Sequence, residues 1–328
     1  MNREFQVSGD LAALVCEYLR LRQDCDWPLY QQLSGQAANE RMTFQRWWQI
    51  LEALQQRYPQ QPVAVQLGLS VQAAHLGVLG YLVLACENLG EALLAFQRYQ
   101  GLLHDGDRAR ADQHQGLMRL SWSRHYQLSH PLSDQVLVVG MVRFIRLMVG
   151  RPELRASCLS FCFPDPGVGV AAFRQLADEV RFDQGCTAIT FPPDYLALAV
   201  VNHDPGLKAL LENQALSMLA VLPQQDDLIE RLRKALLKAL QSGQANSAFV
   251  ARQLNVSERT LFRRLQQYGF SFKQILMQTR TELAKKHLQA GQLTLAEIAL
   301  LLGYSEQSAF NRAFKRETGL TPRQFQRR

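Results

Sequence analysis

The decisive stretch is Leu295-Ala-Glu-Ile-Ala-Leu-Leu-Leu-Gly-Tyr-Ser305, and its pattern also occurs upstream as Ser247-Ala-Phe-Val-Ala-Arg-Gln-Leu-Asn-Val-Ser257. Each copy is followed by a second run with helical periodicity, Glu258 to Tyr268 in the first copy and Glu306 to Thr318 in the second. The first runs align 48 residues apart and the second runs 49 apart, so the unit is repeated with a one-residue insertion. The repeat predicts two helix-turn-helix units.

Each unit has a physical reason for its residue types. A small residue lets two helices cross closely, a residue that tolerates left-handed backbone ends the first helix, and a serine can cap the next one. These three roles fall to Ala251, Asn255 and Ser257 in the first copy, and to Ala299, Gly303 and Ser305 in the second.

The second helix of each unit has one apolar and one polar face. Leu261 and Leu265 lie four residues apart, as do Phe310 and Phe314, and we expect both pairs to be buried. The outward positions then carry Arg259, Thr260, Arg263, Arg264 and Gln266 in the first copy, and Gln307, Ser308, Asn311, Arg312, Lys315 and Arg316 in the second.

Such a face is suited to double-stranded DNA. In the major groove Arg pairs with guanine, and Asn or Gln with adenine. The alternative is a pair of ordinary helical hairpins with solvated polar faces. Two copies with the same caps, small residues and basic faces favour DNA binding, so these eleven residues are our candidate DNA contacts.

A helical run from Phe272 to Gln289 separates the two units. At about 1.5 Å per residue it spans roughly 27 Å, which would place the two recognition helices near one turn of DNA apart, about 34 Å. One polypeptide is therefore predicted to read two successive major grooves. Candidate phosphate contacts, each equally compatible with a solvated charge, are Lys273, Lys285, Lys286, Arg316, Arg323, Arg327 and Arg328.

Length and charge predict two domains in the 328 residues. Residues 225–328 hold 18 Lys and Arg against 8 Asp and Glu, a net +10, so the remainder carries −3 of the total +7. A polar break at Pro223-Gln224-Gln225 gives the boundary. We predict an effector-sensing and dimerisation domain at 1–222 and an all-α DNA-binding domain at 226–328, with two helix-turn-helix motifs joined by a linker helix.

The N-terminal domain is predicted to be α+β. Helical patterns with suitable caps run over Asp10 to Arg22, Thr43 to Tyr58, Ala73 to Ala85, Asn88 to Leu103 and Asp204 to Leu222. Strand patterns lie at Met118 to Trp122, Cys158 to Phe163, Val180 to Phe182 and Ala188 to Phe191.

Several classes of protein and site are disfavoured. The six cysteines have no CxxC pair, which favours reduced core thiols and predicts no metal site and no cofactor. The chain lacks GxSxG, a phosphate-binding glycine loop and HExxH, so we expect no catalytic residues and no enzyme. The most apolar stretch, Val136 to Val149, is too short to cross a membrane and contains Arg143 and Arg146, and no signal peptide is visible, so a cytoplasmic location is expected.

The C-terminal region resembles the AraC/XylS family of bacterial transcription regulators. The run Ile298-Ala-Leu-Leu-Leu-Gly-Tyr-Ser-Glu-Gln-Ser-Ala-Phe-Asn-Arg-Ala-Phe-Lys-Arg316, with Gly319-Leu-Thr-Pro322 and Phe325, carries the stronger resemblance, and Ser257 to Leu265 is similar to the family's more variable first unit. The resemblance implies base contacts from Arg259, Arg263, Gln307, Ser308, Asn311 and Arg312.

The N-terminal region resembles the sensor domain of the ornithine-regulator-like, arabinose-binding-type subgroup. The resemblance lies in Leu76-Gly-Val-Leu-Gly-Tyr81, Leu89-Gly-Glu-Ala-Leu93 with Arg98-Tyr99, Val180-Arg-Phe-Asp183, Ile189-Thr-Phe-Pro192 and Asp204-Pro205. It implies a small-molecule effector, such as the amino acids and fatty acids associated with relatives. No sugar-sensing cupin pattern is present near the N-terminus, which argues against a sugar.

Effector-binding residues stay unassigned by the sequence. Phe44, Trp47, Trp48 and Trp122 either line a pocket or belong to the core, and His75, His104, His125 and His130 are equally open. The predicted function is transcription regulation, with activation through RNA polymerase and a homodimer implied by the resemblance. The alternative is an architectural or partner-controlled DNA-binding protein with no ligand.

Overall fold

The computed structural model describes residues 4–35, 40–122, 128–222 and 228–326. The described residues form two compact units, one within residues 4–222 and the other within residues 228–326. Pro223-Gln224-Gln225, which the sequence predicts as the boundary, lies outside the described residues. The fold class predicted for the chain, an α+β unit followed by an all-α unit, is confirmed.

Helices dominate the N-terminal unit. They are α1 Asp10–Leu21, α2 Pro28–Ser34, α3 Phe44–Arg57, α4 Val63–Leu69, α5 Gly77–Leu84, α6 Leu89–Tyr99, α7 Pro131–Val149, α8 Val170–Leu176 and α9 Pro205–Val221, with short 3-10 turns at Ala73–Leu76, Gln100–Leu102 and Pro193–Ala197.

Two small sheets accompany these helices. The strands are β1 Gln6–Val7, β2 Met42–Thr43, β3 Ala109–His114, β4 Leu117–Trp122, β5 Ala156–Ser160, β6 Ala177–Arg181 and β7 Thr187–Phe191. The larger sheet has the order β3-β4-β7-β5-β6, and its pairs are antiparallel except for the parallel pair β5 and β6. Trp122 of β4 lies directly opposite Thr187 of β7, so both side chains face the same side of the sheet.

Three of the predicted caps are confirmed. Thr43, Asn88 and Asp204 each accept a hydrogen bond from the backbone N–H three residues later, at 2.9 to 3.1 Å. Asp10 was predicted to be a cap, and this is wrong. Gly9 precedes the helix and Asp10 is its first residue, where the carboxylate accepts a hydrogen bond from Ser8 Oγ at 2.8 Å.

The helix predicted over Ala73 to Ala85 is not continuous. Gly77, with φ of +57°, separates the 3-10 turn from α5. The two pieces meet closely because a Cβ on Gly80 would lie 2.3 Å from the backbone oxygen of Ala73. Hydrophobic periodicity therefore indicated the apolar face here but missed the bend.

The apolar stretch Val136 to Val149 belongs to α7, a helix that the sequence analysis did not predict. Val138, Val139 and Val142 are fully buried, while Arg146 donates to the backbone oxygen of Leu154 at 2.6 Å. Among the described residues no single helix has the length and apolarity to cross a membrane. The helices Val63–Leu69 and Ala73–Leu84 reach that length and apolarity only when they are taken together, and a 103° bend separates them.

The C-terminal unit is helical throughout its described residues. Its helices are α10 Leu228–Gln241, α11 Ser247–Gln253, α12 Glu258–Gln267, α13 Phe272–Ala290, α14 Leu295–Leu301, α15 Gln307–Thr318 and α16 Pro322–Gln326. The predicted core pairs, Leu261 with Leu265 and Phe310 with Phe314, are all at most 1% exposed.

Candidate DNA-binding surface and effector cavity

Both predicted turns have the expected backbone. Asn255 and Gly303 adopt left-handed φ angles of +55° and +73°, which end α11 and α14. Ala251 and Ala299 are buried at 2% and 1% exposure, as expected for small residues at a helix crossing. The two helix-turn-helix units therefore share the same kind of turn residue and the same small residue at the helix crossing.

The caps of the second helices differ between the units. Ser257 accepts from the backbone N–H of Thr260 at 3.1 Å, as predicted. The prediction that Ser305 caps α15 is wrong, because α15 begins at Gln307 and Glu306 occupies the cap position without a side-chain cap bond. Helices α11 and α14 start 48 residues apart but α12 and α15 start 49 apart, so the inserted residue lies in this turn and displaces the serine.

The candidate DNA contacts fall into two groups by exposure. Seven are exposed, namely Arg259, Arg263, Gln266, Ser308, Arg312, Lys315 and Arg316. Four are half-buried, namely Thr260, Arg264, Gln307 and Asn311. Thr260 shares a 2.9 Å hydrogen bond with the capping hydroxyl of Ser257. The exposed group presents basic side chains on both helices.

A residue that sequence reasoning missed modifies the second face. The Glu306 carboxylate accepts from the Ser308 hydroxyl, and Arg312 Nη2 lies 3.5 Å from the same carboxylate. Arg312 is nevertheless 74% exposed, so this pair is weak and solvent-screened. Glu306 therefore places a negative charge beside Arg312, and its acidic side chain directly before a basic helix was the signal that could have found it.

The linker helix α13 joins the two helix-turn-helix units within the C-terminal unit. Its 19 residues span roughly 28 Å at 1.5 Å per residue. Ser271 and Gln274 form a capping box at its start, and Gly291 ends it in left-handed backbone. Arg280 ties α13 to the second unit, because it donates to the Gly303 oxygen at 3.2 Å and its guanidinium lies 4.7 Å from the Tyr304 ring centroid.

The predicted phosphate contacts are distributed unevenly. Lys273, Lys286, Arg316 and Arg323 are exposed. Lys285 is half-buried with its ammonium 5.8 Å from the Phe325 ring, which makes it a packing residue as well as a charge. Arg327 and Arg328 lie outside the described residues.

The N-terminal unit holds a cavity of about 210 Å³ between α7, α6 and the larger sheet. Three of the predicted aromatic candidates, Phe44, Trp47 and Trp122, line it. Trp48 is not among its lining residues and instead stacks on His130 at 5.5 Å between ring centroids. Of the four aromatic candidates, three therefore line the cavity, and the half-buried Trp48 does not.

The predicted histidines are likewise separated. His104 lines the cavity, whereas His75 lies 2.9 Å from Glu17 and His130 lies 3.1 Å from Glu52. His125 lies outside the described residues. His75 and His130 are thus partnered polar residues outside the cavity wall.

Ser8, His104 and Asp107 are polar lining residues of the cavity, and a cluster of further polar lining residues lies at the start of α7. Asp134 accepts from Ser129 Oγ at 2.8 Å and from Thr187 Oγ1 at 2.7 Å, and Trp47 Nε1 donates to Ser133 Oγ at 3.1 Å. Burial raises the pKa of the Asp134 carboxyl, and the hydroxyl donors oppose that rise. This polar end, defined by Ser129, Ser133, Asp134 and Thr187, was not predicted from the sequence, because the four residues come from two distant segments.

Leaving such a cavity empty would be unfavourable. Its remaining walls are mainly Leu, Val, Ile, Met and Phe side chains. Apolar side chains that face an unfilled space lose the packing contacts they would otherwise make. A fold that retains this space is suited to binding a ligand in it.

His104 makes the stability of the N-terminal unit depend on pH. Burial, followed by the nearby Arg41 and Arg108, lowers the pKa of His104 to about 4, and the Gly106 N–H donates to its Nδ1 at 3.2 Å. Because the unfolded chain has the higher His pKa, near 6.5, it binds the proton first, and stability falls as pH drops from about 6.5 to about 4.

The free energy of unfolding is expected to fall by about 2 kcal/mol over this pH range. This is less than the full pKa shift of His104 implies, because the residue is partly exposed. Denaturant unfolding at pH 7.5, 5.5 and 4.5 measures it, with His104→Gln expected to flatten the dependence. His114→Gln, a change at an exposed histidine on β3, serves as the control. An unchanged slope in His104→Gln would contradict this assignment.

None of the six cysteines forms a disulfide. Cys86 and Cys158 are buried, but the other four are half-buried, so the prediction of core thiols holds for two only. The described residues contain no group of three or more His, Cys, Asp or Glu side chains placed to hold a metal ion.

These features define a two-unit protein with a double helix-turn-helix region and a ligand-sized apolar cavity. A family model described as the arabinose-binding domain of AraC transcription regulators matches residues 31–200, about half of the chain, and a helix-turn-helix domain model matches residues 250–328. The chain therefore belongs to the AraC family of transcription regulators.

Individual proteins resemble this chain over different lengths. The ornithine utilization regulator of Pseudomonas aeruginosa is 29% identical over 287 residues, which cover 87% of this chain and 84% of the relative. The regulator VirS of Mycobacterium tuberculosis is 36% identical over 201 residues, covering 60% of this chain and 58% of VirS. The structure of the transcriptional regulator CdpR from Pseudomonas aeruginosa aligns over 96% of this chain and 97% of its own, with 21% identity and a TM-score of 0.41.

Proposed function

We propose that this regulator reads an asymmetric DNA site with α12 and α15 in two successive major grooves. Arg259, Arg263 and Gln266 would contact bases from α12, and Gln307, Ser308, Asn311 and Arg312 from α15. Thr260, Arg264, Lys315 and Arg316 complete the DNA-binding surface. The observation that carries this proposal is the repeated construction, with exposed Arg side chains on both second helices and a 19-residue helix between the units.

The two regions would divide the work. Residues 226–328 bind DNA, and residues 1–222 sense a small molecule and form a homodimer. Ligand binding would then change dimerisation or the contacts between domains, so that RNA polymerase is recruited at a promoter in the cytoplasm. Activation rather than repression follows the family resemblance, and no catalytic step is involved.

The alternative function is architectural, with DNA binding that responds to no ligand. The apolar cavity favours the ligand-responsive proposal, because an architectural protein gains nothing from an unfilled volume of about 210 Å³ in its core. The polar end of the cavity offers hydrogen-bonding groups that can orient a ligand.

Genome-wide mapping of bound DNA in the host tests this proposal. A small number of sharp promoter sites is expected, and neighbouring operons would then indicate effector compounds to assay. A chain carrying both Arg263→Ala and Arg312→Ala is the matched control and should lose those sites. Diffuse binding along the chromosome would support the architectural alternative and contradict a promoter-specific regulator.

A further inference from the structure

The chemistry of the cavity narrows the class of ligand. Its α7 wall runs from Ser133 to Met148, sixteen residues whose axial rise is roughly 22 Å at 1.5 Å per residue. Its walls along this length are mainly Leu, Val, Ile, Met and Phe side chains. An aliphatic chain matches this apolar lining better than a compact polar molecule does.

Charge excludes one kind of head group. The described lining residues include no Lys or Arg, and they include two buried carboxyls, those of Asp107 and Asp134. Two cations lie near His104 but not in the lining: Arg41, which donates to the backbone oxygens of Gln6, Gly101 and Leu102, and the exposed Arg108. At the polar end, a carboxylate would meet the acidic side chain of Asp134 with no Lys or Arg among the described lining residues, which is costly in a low-dielectric site.

The indole N–H of Trp122 is a further polar group in the cavity wall, and it needs a hydrogen-bond acceptor. Trp122 is 6% exposed, lines the cavity, and its indole Nε1–H has no hydrogen-bond partner among the described residues. It lies across the β4–β7 pair from Thr187, whose hydroxyl donates to Asp134. A buried donor and a buried carboxyl thus occur at the same end of the cavity.

We infer that the ligand is an uncharged aliphatic molecule with one hydroxyl-type head, which donates to Asp134 and accepts from the Trp122 indole. A hydroxyl can do both, whereas an ammonium only donates and a carboxylate only accepts. This inference rests on the proposed function, in which the cavity is the effector site. The aliphatic chain would lie along α7 towards Met148.

Calorimetric titration of the full chain with four probes tests the ligand class: 1-octanol, octanoate, octylammonium and L-ornithine at pH 7.5. We expect saturable binding of octanol, at least tenfold weaker binding of octanoate and octylammonium, and none of ornithine. Octanoate or octylammonium binding as tightly as octanol would overturn the assignment of the head group. Ornithine binding without octanol binding would overturn the apolar class.

Two variants test the location. Ala92→Met places a longer side chain in the cavity from α6 and should weaken octanol binding at least tenfold. Trp122→Phe keeps a ring but removes the donor and should weaken it about threefold to tenfold. The matched control is Trp48→Phe, since Trp48 also has a buried, unpartnered Nε1 but does not line the cavity. Equal effects of Trp122→Phe and Trp48→Phe would overturn the proposed anchor.

Failure of this inference can be told from failure of the proposed function. The same preparations are assayed for binding to a mapped promoter fragment without any probe. Intact promoter binding together with no octanol binding overturns the ligand class alone. If the unmodified chain does not bind the promoter fragment selectively, the proposed function is overturned.

Discussion

Arg263→Ala and Arg312→Ala, combined in one chain, are expected to abolish selective DNA binding. Each side chain is exposed on a different recognition helix, and a bidentate contact to a base contributes about 1–3 kcal/mol of discrimination. The two losses should be nearly additive because the sites are separate, giving about 2–6 kcal/mol in total. Competition binding between a specific and a random duplex of equal length measures this.

Arg20→Ala provides the matched control for this pair, because Arg20 is an exposed arginine on α1 of the other unit. Removing the Arg20 side chain should change neither the affinity for the specific duplex nor the affinity for the random duplex. Equal losses on specific and random duplexes for the Arg263 and Arg312 variants would identify both as phosphate contacts. The slope of the logarithm of the binding constant against the logarithm of the salt concentration would then become shallower by about one for each arginine removed.

Phe310→Ala is expected to destabilise the second helix-turn-helix unit by about 3–5 kcal/mol. Phe310 is 1% exposed, and its ring lies 5.8 Å from those of both Tyr304 and Phe314. Its removal leaves a cavity at the centre of the cluster that orients α15. Hydrogen exchange of the α15 amides in the full chain measures the loss locally.

The control for Phe310→Ala is Phe262→Ala, since Phe262 is 45% exposed on α12 of the first unit. That change should cost less than about 1 kcal/mol. Similar destabilisation by the two changes would mean that the apolar faces of the two units are not the ones assigned here.

Local patterns made the C-terminal unit predictable. The left-handed turn residues Asn255 and Gly303 and the buried alanines Ala251 and Ala299 all depend on short-range geometry that the repeat states twice. The failure at Ser305 has the same origin, because one inserted residue moved the cap to Glu306. The sequence alignment contained that insertion but did not locate it within the turn.

Tertiary contacts account for what was missed in the N-terminal unit. Helix α7 is buried on several sides, so its sequence is apolar almost throughout and lacks the periodicity of a surface helix. Strand β3 is mostly polar at the sheet edge and therefore resembles a loop. The polar end of the cavity joins Asp134 to Thr187, 53 residues away, a proximity that only the fold creates.

We propose that α12 and α15 of one chain enter two successive major grooves. Hydroxyl-radical footprinting of the full chain on a mapped promoter site tests this proposal, with Arg263→Ala and Arg312→Ala chains compared on the same fragment. We expect two protected segments about one helical turn, or roughly 10 base pairs, apart on one face of the DNA, with each variant weakening a different segment. A single protected segment, or one segment weakened by both variants, would contradict the proposal.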